Sequence, residues 1–162
     1  MNSLPHSDRI IVGVDGSEYS SNALQVAGRM AEMMKAPLEV ISCIEKSNRL
    51  VASRFETEPN RFTSQLSESV ELLVEQALER AFGTTRPADL SISVSFDEAA
   101  ESLIEQSRSA QLLVVGRRGS GGFLNHPIGS VSKACAAHAH CPVLVVPQNE
   151  PARNTKENTN GK

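Results

Sequence analysis

The stretch that decides the fold covers residues 111–133 and reads QLLVVGRRGSGGFLNHPIGSVSK. An apolar run over residues 112–115 stops at Gly116, a glycine-rich loop follows, and Gly129 and Ser130 begin a segment with a helical pattern. Glycine lets main-chain amides approach a ligand closely, and the first turn of a helix offers unpaired N–H groups to an anion. The order strand, glycine loop, helix start therefore predicts a phosphate-binding segment.

Apolar runs and helical patterns alternate along the rest of the chain. The predicted strands are residues 9–15, 38–44, 90–96, 112–115 and 143–146. Between them, helical periods are found over residues 17–36, from residue 62 to Gly83, over residues 98–109 and from Ser130, whereas residues 46–60 predict a long loop. Serines alternate with apolar residues in the third strand, which is typical of an edge strand. The pattern predicts an α/β three-layer sandwich with a parallel sheet and helices on both faces.

Composition favours one domain of ordinary size. The chain has 162 residues, of which 40% are hydrophobic. We expect the domain to span residues 9–147, after a short extension over residues 1–8 and before a polar, disordered tail over residues 148–162. The formal net charge of −3 argues against non-specific binding to nucleic acid or to a membrane surface.

Cysteine content and hydropathy indicate the compartment. Three scattered cysteines suit reduced thiols better than a disulfide framework. The N-terminal residues show no signal-peptide pattern, and no apolar run reaches about 18 residues. We therefore expect a soluble cytoplasmic protein.

Asp15 follows the first predicted strand and precedes Gly16 and Ser17. In open parallel sheets, ligands bind beyond the carboxyl ends of the strands, where the strand order reverses. If the first and fourth strands are neighbours, Asp15 faces the glycine loop, an arrangement that suits a nucleotide with its ribose or metal near Asp15. Taken alone, Asp15 would equally suit a turn or a helix cap, and Ser17 or a neighbouring serine is the expected cap of the next helix.

Two further clusters have simpler explanations. Cysteine and histidine residues near the end of the last helix could hold a metal, but histidine is also favoured there by the helix dipole. The residues of that cluster are Cys135, His138, His140 and Cys141. Three methionines of the first helix, Met30, Met33 and Met34, are predicted to fill the core.

The chain resembles the universal stress proteins of the single-domain, nucleotide-binding type. The resemblance covers roughly residues 8–147 and rests on the opening IVGVDGS, the ending CPVLVVP and the signature G-x2-G-x9-G-S. The signature falls on Gly116, Gly119, Gly129 and Ser130. The resemblance implies a five-stranded sheet of order 3-2-1-4-5, in which the first and fourth strands are neighbours.

The same resemblance implies an ATP site. It places Asp15 at the ribose or at a magnesium ion, and Cys43 at the adenine, although Cys43 also suits a small buried hydrophobe. The phosphates would contact the four signature residues and the amide of Val131. One of the adjacent residues Arg117 and Arg118, but not both, would clamp phosphate oxygens. The resemblance also implies a homodimer that pairs through the last strand, Val143–Val146.

The expected function is that of a regulatory ATP-binding module with at most slow hydrolysis. The glycine loop has neither the Gly-Lys-Ser/Thr of a P-loop nor an acidic base. One alternative is a dimeric interaction protein whose site binds cyclic AMP or stays empty. Another is an adenylate-forming or ATP-hydrolysing enzyme, whose usual signatures are missing from the sequence.

Overall fold

The structure, a computed structural model, describes residues 8–17, 19–44, 59–118 and 128–148. Strands and helices alternate along these residues. The elements are β1 (Ile10–Val14), α1 (Ser20–Met34), β2 (Leu38–Cys43), α2 (Pro59–Phe82), β3 (Leu90–Ser95), α3 (Ala99–Gln106), a 3-10 turn (Ser107–Ser109), β4 (Leu112–Gly116), α4 (Ser130–His138) and β5 (Val143–Val146). The predicted extension and tail, apart from Asp8 and Gln148, lie outside the described residues.

The strands form one parallel sheet of order β3-β2-β1-β4-β5. The predicted sheet order is therefore confirmed, and β3 is an edge strand as expected. Because every strand points the same way, all carboxyl ends lie at one end of the domain. The order reverses between β1 and β4, which are direct neighbours.

Helices cover both faces of the sheet. On one face, α1 and α2 bury residues such as Leu24 and Leu78 against Val12, Val40 and the strands beside them. On the other face, Leu103 of α3 and Cys135 of α4 form a second buried cluster with strand residues such as Ile11. The three-layer α/β arrangement predicted from the alternating pattern is confirmed.

Glycine permits close packing on each face. A Cβ on Gly13 of β1 would lie 2.7 Å from a methyl carbon of Leu103, so the absence of a side chain lets α3 approach the sheet. A Cβ on Gly28 of α1 would lie 2.5 Å from the ring of Phe82. Both distances are shorter than van der Waals contact, so these two positions leave room only for glycine without rearrangement.

Three local predictions are wrong. Helix α2 begins at Pro59 and not after the predicted loop, because proline is favoured in the first helical turn. Neither Ser17 nor Ser20 caps α1, whose N-cap is Tyr19 without a side-chain cap bond. Two of the methionines predicted to lie in the core are exposed on α1, with Met33 at 76% and Met34 at 44%.

Candidate functional site

Three of the predicted site residues lie side by side at the carboxyl end of the sheet. In the registers, Val14 of β1 pairs with Ser42 of β2, and Gly13 pairs with Val115 of β4. Cys43 follows Ser42 by one residue and Asp15 follows Val14 by one residue. Arg117 follows Val115 by two. The topology therefore brings the Asp15 turn next to the β4 end of the glycine segment.

Asp15 is held in a turn built from its own neighbours. Gly16 adopts a φ of 75°, which favours glycine. The Oδ1 atom of Asp15 accepts hydrogen bonds from the Ser17 amide at 3.0 Å, the Ser17 hydroxyl at 2.6 Å and the Ser20 hydroxyl at 2.8 Å. These bonds explain why the serines do not cap α1, and they fix the orientation of an exposed carboxylate at the sheet end.

The two ends of the glycine segment are hydrogen-bonded to each other. The Gly129 amide donates to the Arg117 carbonyl at 2.7 Å, and the hydroxyl of Ser132 donates to the Gly116 carbonyl. The Arg117 amide in turn donates to the Val146 carbonyl at the end of β5, at 2.7 Å. The described residues on the two sides of the segment are thus adjacent to each other, and Arg117 is also hydrogen-bonded to the end of β5.

The first turn of α4 presents free donors. Its N-cap is Gly129, with φ −69° and ψ 159° and no side-chain cap bond. The amide of Lys133 donates to the Gly129 carbonyl, and none of the described residues accepts from the amides of Ser130, Val131 and Ser132. An uncapped helix start with three available N–H groups is suited to an anion, because the donors and the positive end of the helix dipole point the same way.

Arg117 and Arg118 add positive charge at the end of β4. Their Nε atoms are buried and have no hydrogen-bond partner among the described residues. An unpaired buried donor is unfavourable, and an anion at the segment would supply an acceptor. Both guanidinium groups are therefore suited to an anion at this strand end.

Cys43 contributes its backbone to the sheet end and its thiol to the core. The side chain packs against the cluster beneath α3, where burial raises the pKa of the Cys43 thiol more than a hydrogen bond with Ser102 lowers it, and Asp97 raises it further. Because the thiol faces α3, an adenine at this strand end would meet the main chain of Cys43.

Some sequence predictions could not be placed, and some site residues were missed. Gly119 lies outside the described residues. Within the part of the chain that the structure describes, no group of three or more potential ligands could hold a metal ion, which includes the Cys135 to Cys141 region. Sequence reasoning missed the hydroxyls of Ser20 and Ser132. The helix N-cap is Gly129, which has no side chain, so a serine in the first turn was the available sign that Ser132 could supply a hydroxyl there.

Comparison with known sequences shows similarity to universal stress proteins. The model of the universal stress protein family matches residues 6–147. A universal stress protein of Mycobacterium bovis is 32% identical over 158 residues, covering 89% of this chain and 50% of that protein. One of Mycobacterium tuberculosis is 32% identical over 141 residues, covering 85% and 46%. The chain spans about half the length of the relatives it matches.

Solved structures share the fold. Universal stress protein UspA from Lactobacillus plantarum matches with a TM-score of 0.66 and 20% identity, over 86% of this chain and 97% of that one. A universal stress protein in complex with cAMP matches with a TM-score of 0.63 and 23% identity, over 87% and 97%. A universal stress protein from Archaeoglobus fulgidus in complex with dAMP matches with a TM-score of 0.56 and 16% identity, over 86% and 97%.

Among the described helices, none is long and apolar enough to span a membrane.

Proposed function

Because the chain belongs to the universal stress protein family, we propose that it is a regulatory module that binds ATP at the carboxyl end of its sheet. The observation that carries the proposal is the uncapped start of α4, where the amides of Ser130 and Val131 lie next to Gly116 and Arg117. The triphosphate would bind there, with Gly119 completing the contacts that the family signature implies. Two of the structural relatives hold adenine nucleotides, cAMP and dAMP, which supports this class of ligand.

The remaining contacts follow from the row of strand ends. Asp15 lies between the phosphate segment and Cys43, so its carboxylate would meet the ribose or a magnesium ion on the phosphates. The main chain at Cys43 would meet the adenine. Magnesium binds oxygen ligands and keeps several waters, so one protein carboxylate together with phosphate oxygens is a suitable ligand set.

The site is better suited to holding ATP than to cleaving it. Residues 116–130 contain neither an aspartate nor a glutamate that could orient a water molecule, and they contain no Gly-Lys-Ser/Thr sequence of the P-loop kind. Phosphoryl transfer depends on such positioning and on charge stabilisation. We therefore propose that hydrolysis is slow and that bound ATP acts as a signal or a conformational ligand in the cytoplasm, where the three free cysteines stay reduced.

Calorimetric titration with ATP and magnesium tests the phosphate assignment. Gly129→Val adds a side chain at the N-cap, where the extended backbone accommodates valine, so the fold should persist while ATP affinity falls at least about tenfold. Ala137→Val, exposed at the far end of the same helix, is the matched control and should bind ATP normally. Unchanged affinity in Gly129→Val, with control and variant equally folded, contradicts the assignment.

Cyclic AMP is the second candidate ligand, because one structural relative holds it. Extraction of nucleotide from the denatured, purified protein distinguishes the possibilities. Recovered ATP supports the proposal, cyclic AMP supports the alternative, and ADP that accumulates with turnover indicates a hydrolase.

We also propose that the protein forms a homodimer through β5. This strand ends the sheet, and three of its residues, Val143, Leu144 and Val145, are only partly buried. An apolar edge strand is a template for pairing with another chain. In sedimentation experiments Val145→Lys should shift dimers to monomers, while Ser91→Lys on the opposite edge strand should not. A wild-type monomer at all concentrations contradicts this arrangement.

A further inference from the structure

A cavity of about 720 Å³ opens at the end of the domain opposite to the proposed ATP site. It lies between the last turns of α1 and α2 and the segments that lead into β2 and β3. The amide of Ile10 donates to the Pro37 carbonyl and the amide of Leu38 to the Asp89 carbonyl, both at 2.8 Å, so these segments are fixed to the amino edge of the sheet. A volume of this size falls within the range of roughly 300–1,000 Å³ that is usual for small-molecule sites.

The floor of the cavity is apolar. Gly28, Ala31, Ala81, Phe82 and Pro87 supply much of it. Because Gly28 has no side chain, the Phe82 ring lies directly against the backbone of α1. The floor therefore offers a hydrocarbon or aromatic body a surface from which water is easily displaced.

The walls of the cavity carry charges of both signs. Among the described residues, the cations of Arg29 and Lys35 and the carboxylates of Glu32 and Asp89 make no ion pair. A fifth charge, Arg86, is already paired with Glu75 at 2.7 Å. The unpaired charges are thus two positive and two negative groups around one apolar floor.

We propose that this cavity is a second ligand site that takes a small amphipathic zwitterion. An apolar body would cover the floor, an anionic group would pair with Arg29 or Lys35, and a cationic group would pair with Glu32 or Asp89. A ligand with a single charge would leave the cavity groups of its own sign unpaired and would be repelled by them. The site goes beyond the proposed ATP function and shares no residue with it.

Three matched probes test the sign of the ligand. They are N-decyl-N,N-dimethylglycine as zwitterion, decanoate as anion and decyltrimethylammonium as cation, each titrated into the full chain below its micelle concentration. We expect the zwitterion to bind at least about threefold more tightly than either of the others, since each exposed pair contributes roughly 0.2–1 kcal/mol. Equal or weaker binding of the zwitterion, or no binding of any probe, overturns the proposal.

Single substitutions assign each half of the ligand. Lys35 has a left-handed backbone, with φ 50° and ψ 45°, so Lys35→Gly removes a cation at a position where glycine is well accommodated. This variant should weaken binding of the zwitterion and of decanoate but not of decyltrimethylammonium. Glu32→Gln should weaken binding of the zwitterion and of decyltrimethylammonium but not of decanoate. Arg108→Gln, in an exposed pair with Glu105 elsewhere on the surface, is the control and should change nothing.

The apolar half has its own test. Thr85→Trp, at an exposed position on the cavity wall, places a ring in the opening and should weaken all three probes. ATP affinity should stay at the wild-type value in every one of these variants, because none of them alters a residue of the proposed ATP site. Unaltered probe binding in both Thr85→Trp and Lys35→Gly places the probes elsewhere on the protein and contradicts the site.

Discussion

The hydroxyl of Ser132, a buried residue in the first turn of α4, donates a hydrogen bond to the main-chain carbonyl of Gly116 at the end of β4. The bond directs this carbonyl oxygen toward α4. A carbonyl oxygen free to turn toward a bound phosphate would repel it. We therefore propose Ser132 as a positioning residue of the ATP site, although it lies outside the family signature.

Removal of this bond should affect ATP affinity and stability together. Ser132→Ala leaves the Gly116 carbonyl without its donor, which we expect to cost about 1 kcal/mol of unfolding free energy and to weaken ATP binding about three- to tenfold. Ser132→Thr keeps the hydroxyl and should restore most of the affinity. Calorimetry well below the melting temperature separates the two effects, and a stability loss with normal affinity would assign Ser132 a structural role only.

Magnesium dependence distinguishes the two roles considered for Asp15. Asp15→Asn removes the charge but keeps an oxygen that can accept from Ser17 and Ser20, so the turn should persist. If Asp15 meets the metal, ATP affinity should fall more with magnesium than without it. Titrations with and without the ion measure the difference. Equal losses in both conditions assign Asp15 to the ribose.

Gly28→Ala should destabilise the domain although alanine is the better helix former. The propensity gain is about 1 kcal/mol, but the new Cβ would lie 2.5 Å from the Phe82 ring, and overpacking of this kind costs about 1–3 kcal/mol. We expect a net loss of about 1 kcal/mol in urea unfolding. Phe82→Leu removes the ring, so the double variant should lose less than the two single variants combined. Additive losses would show that the Phe82 ring moves aside without cost and would contradict the predicted overpacking.

Alkaline pH should lower stability through Cys135. Burial, together with the smaller effects of the nearby Cys43 and Cys141, raises the pKa of this thiol from its ordinary value of 9.0 to about 11. Above pH 9 the unfolded chain releases the proton while the folded chain keeps it, so this contribution is present below pH 9 and is lost as pH rises toward 11.

Comparison with a variant that lacks the thiol isolates this contribution. The difference in unfolding free energy between wild type and Cys135→Ala should shrink by about 1 kcal/mol from pH 8 to pH 10. For the same reason, we expect Cys135 in the native protein to be alkylated slowly at pH 8. A difference that stays constant with pH contradicts the raised pKa.

The sheet and its order could be predicted because continuous apolar runs mark buried parallel strands and the resemblance fixes their arrangement. Periodicity could not show which apolar positions of α1 find a neighbour. It placed Met33 and Met34 in the core, yet the sheet and α2 cover only part of that helix. Competition explains the missing cap, since Ser17 and Ser20 bond to Asp15 in preference to the helix start.

The glycine segment could be identified from the sequence as a candidate phosphate site because its residues are close in sequence and share one motif. The Ser132 bond was not, since it joins a helix turn to a strand end that approach only in the folded chain. The opposite cavity was invisible for a similar reason. It is assembled from two helix ends and the two segments that lead into β2 and β3, and its charged residues follow no pattern that sequence reasoning recognises.

The common direction of the strands gives the domain two chemically separate poles. β1 has five residues, so about 16 Å of buried strand lies between the Asp15 turn and the cavity that opens near Pro37. Free-energy changes at sites that far apart usually add. A change at one pole should therefore leave binding of the proposed ligand at the other unaltered. A double variant such as Gly129→Val with Lys35→Gly should show each single effect undiminished.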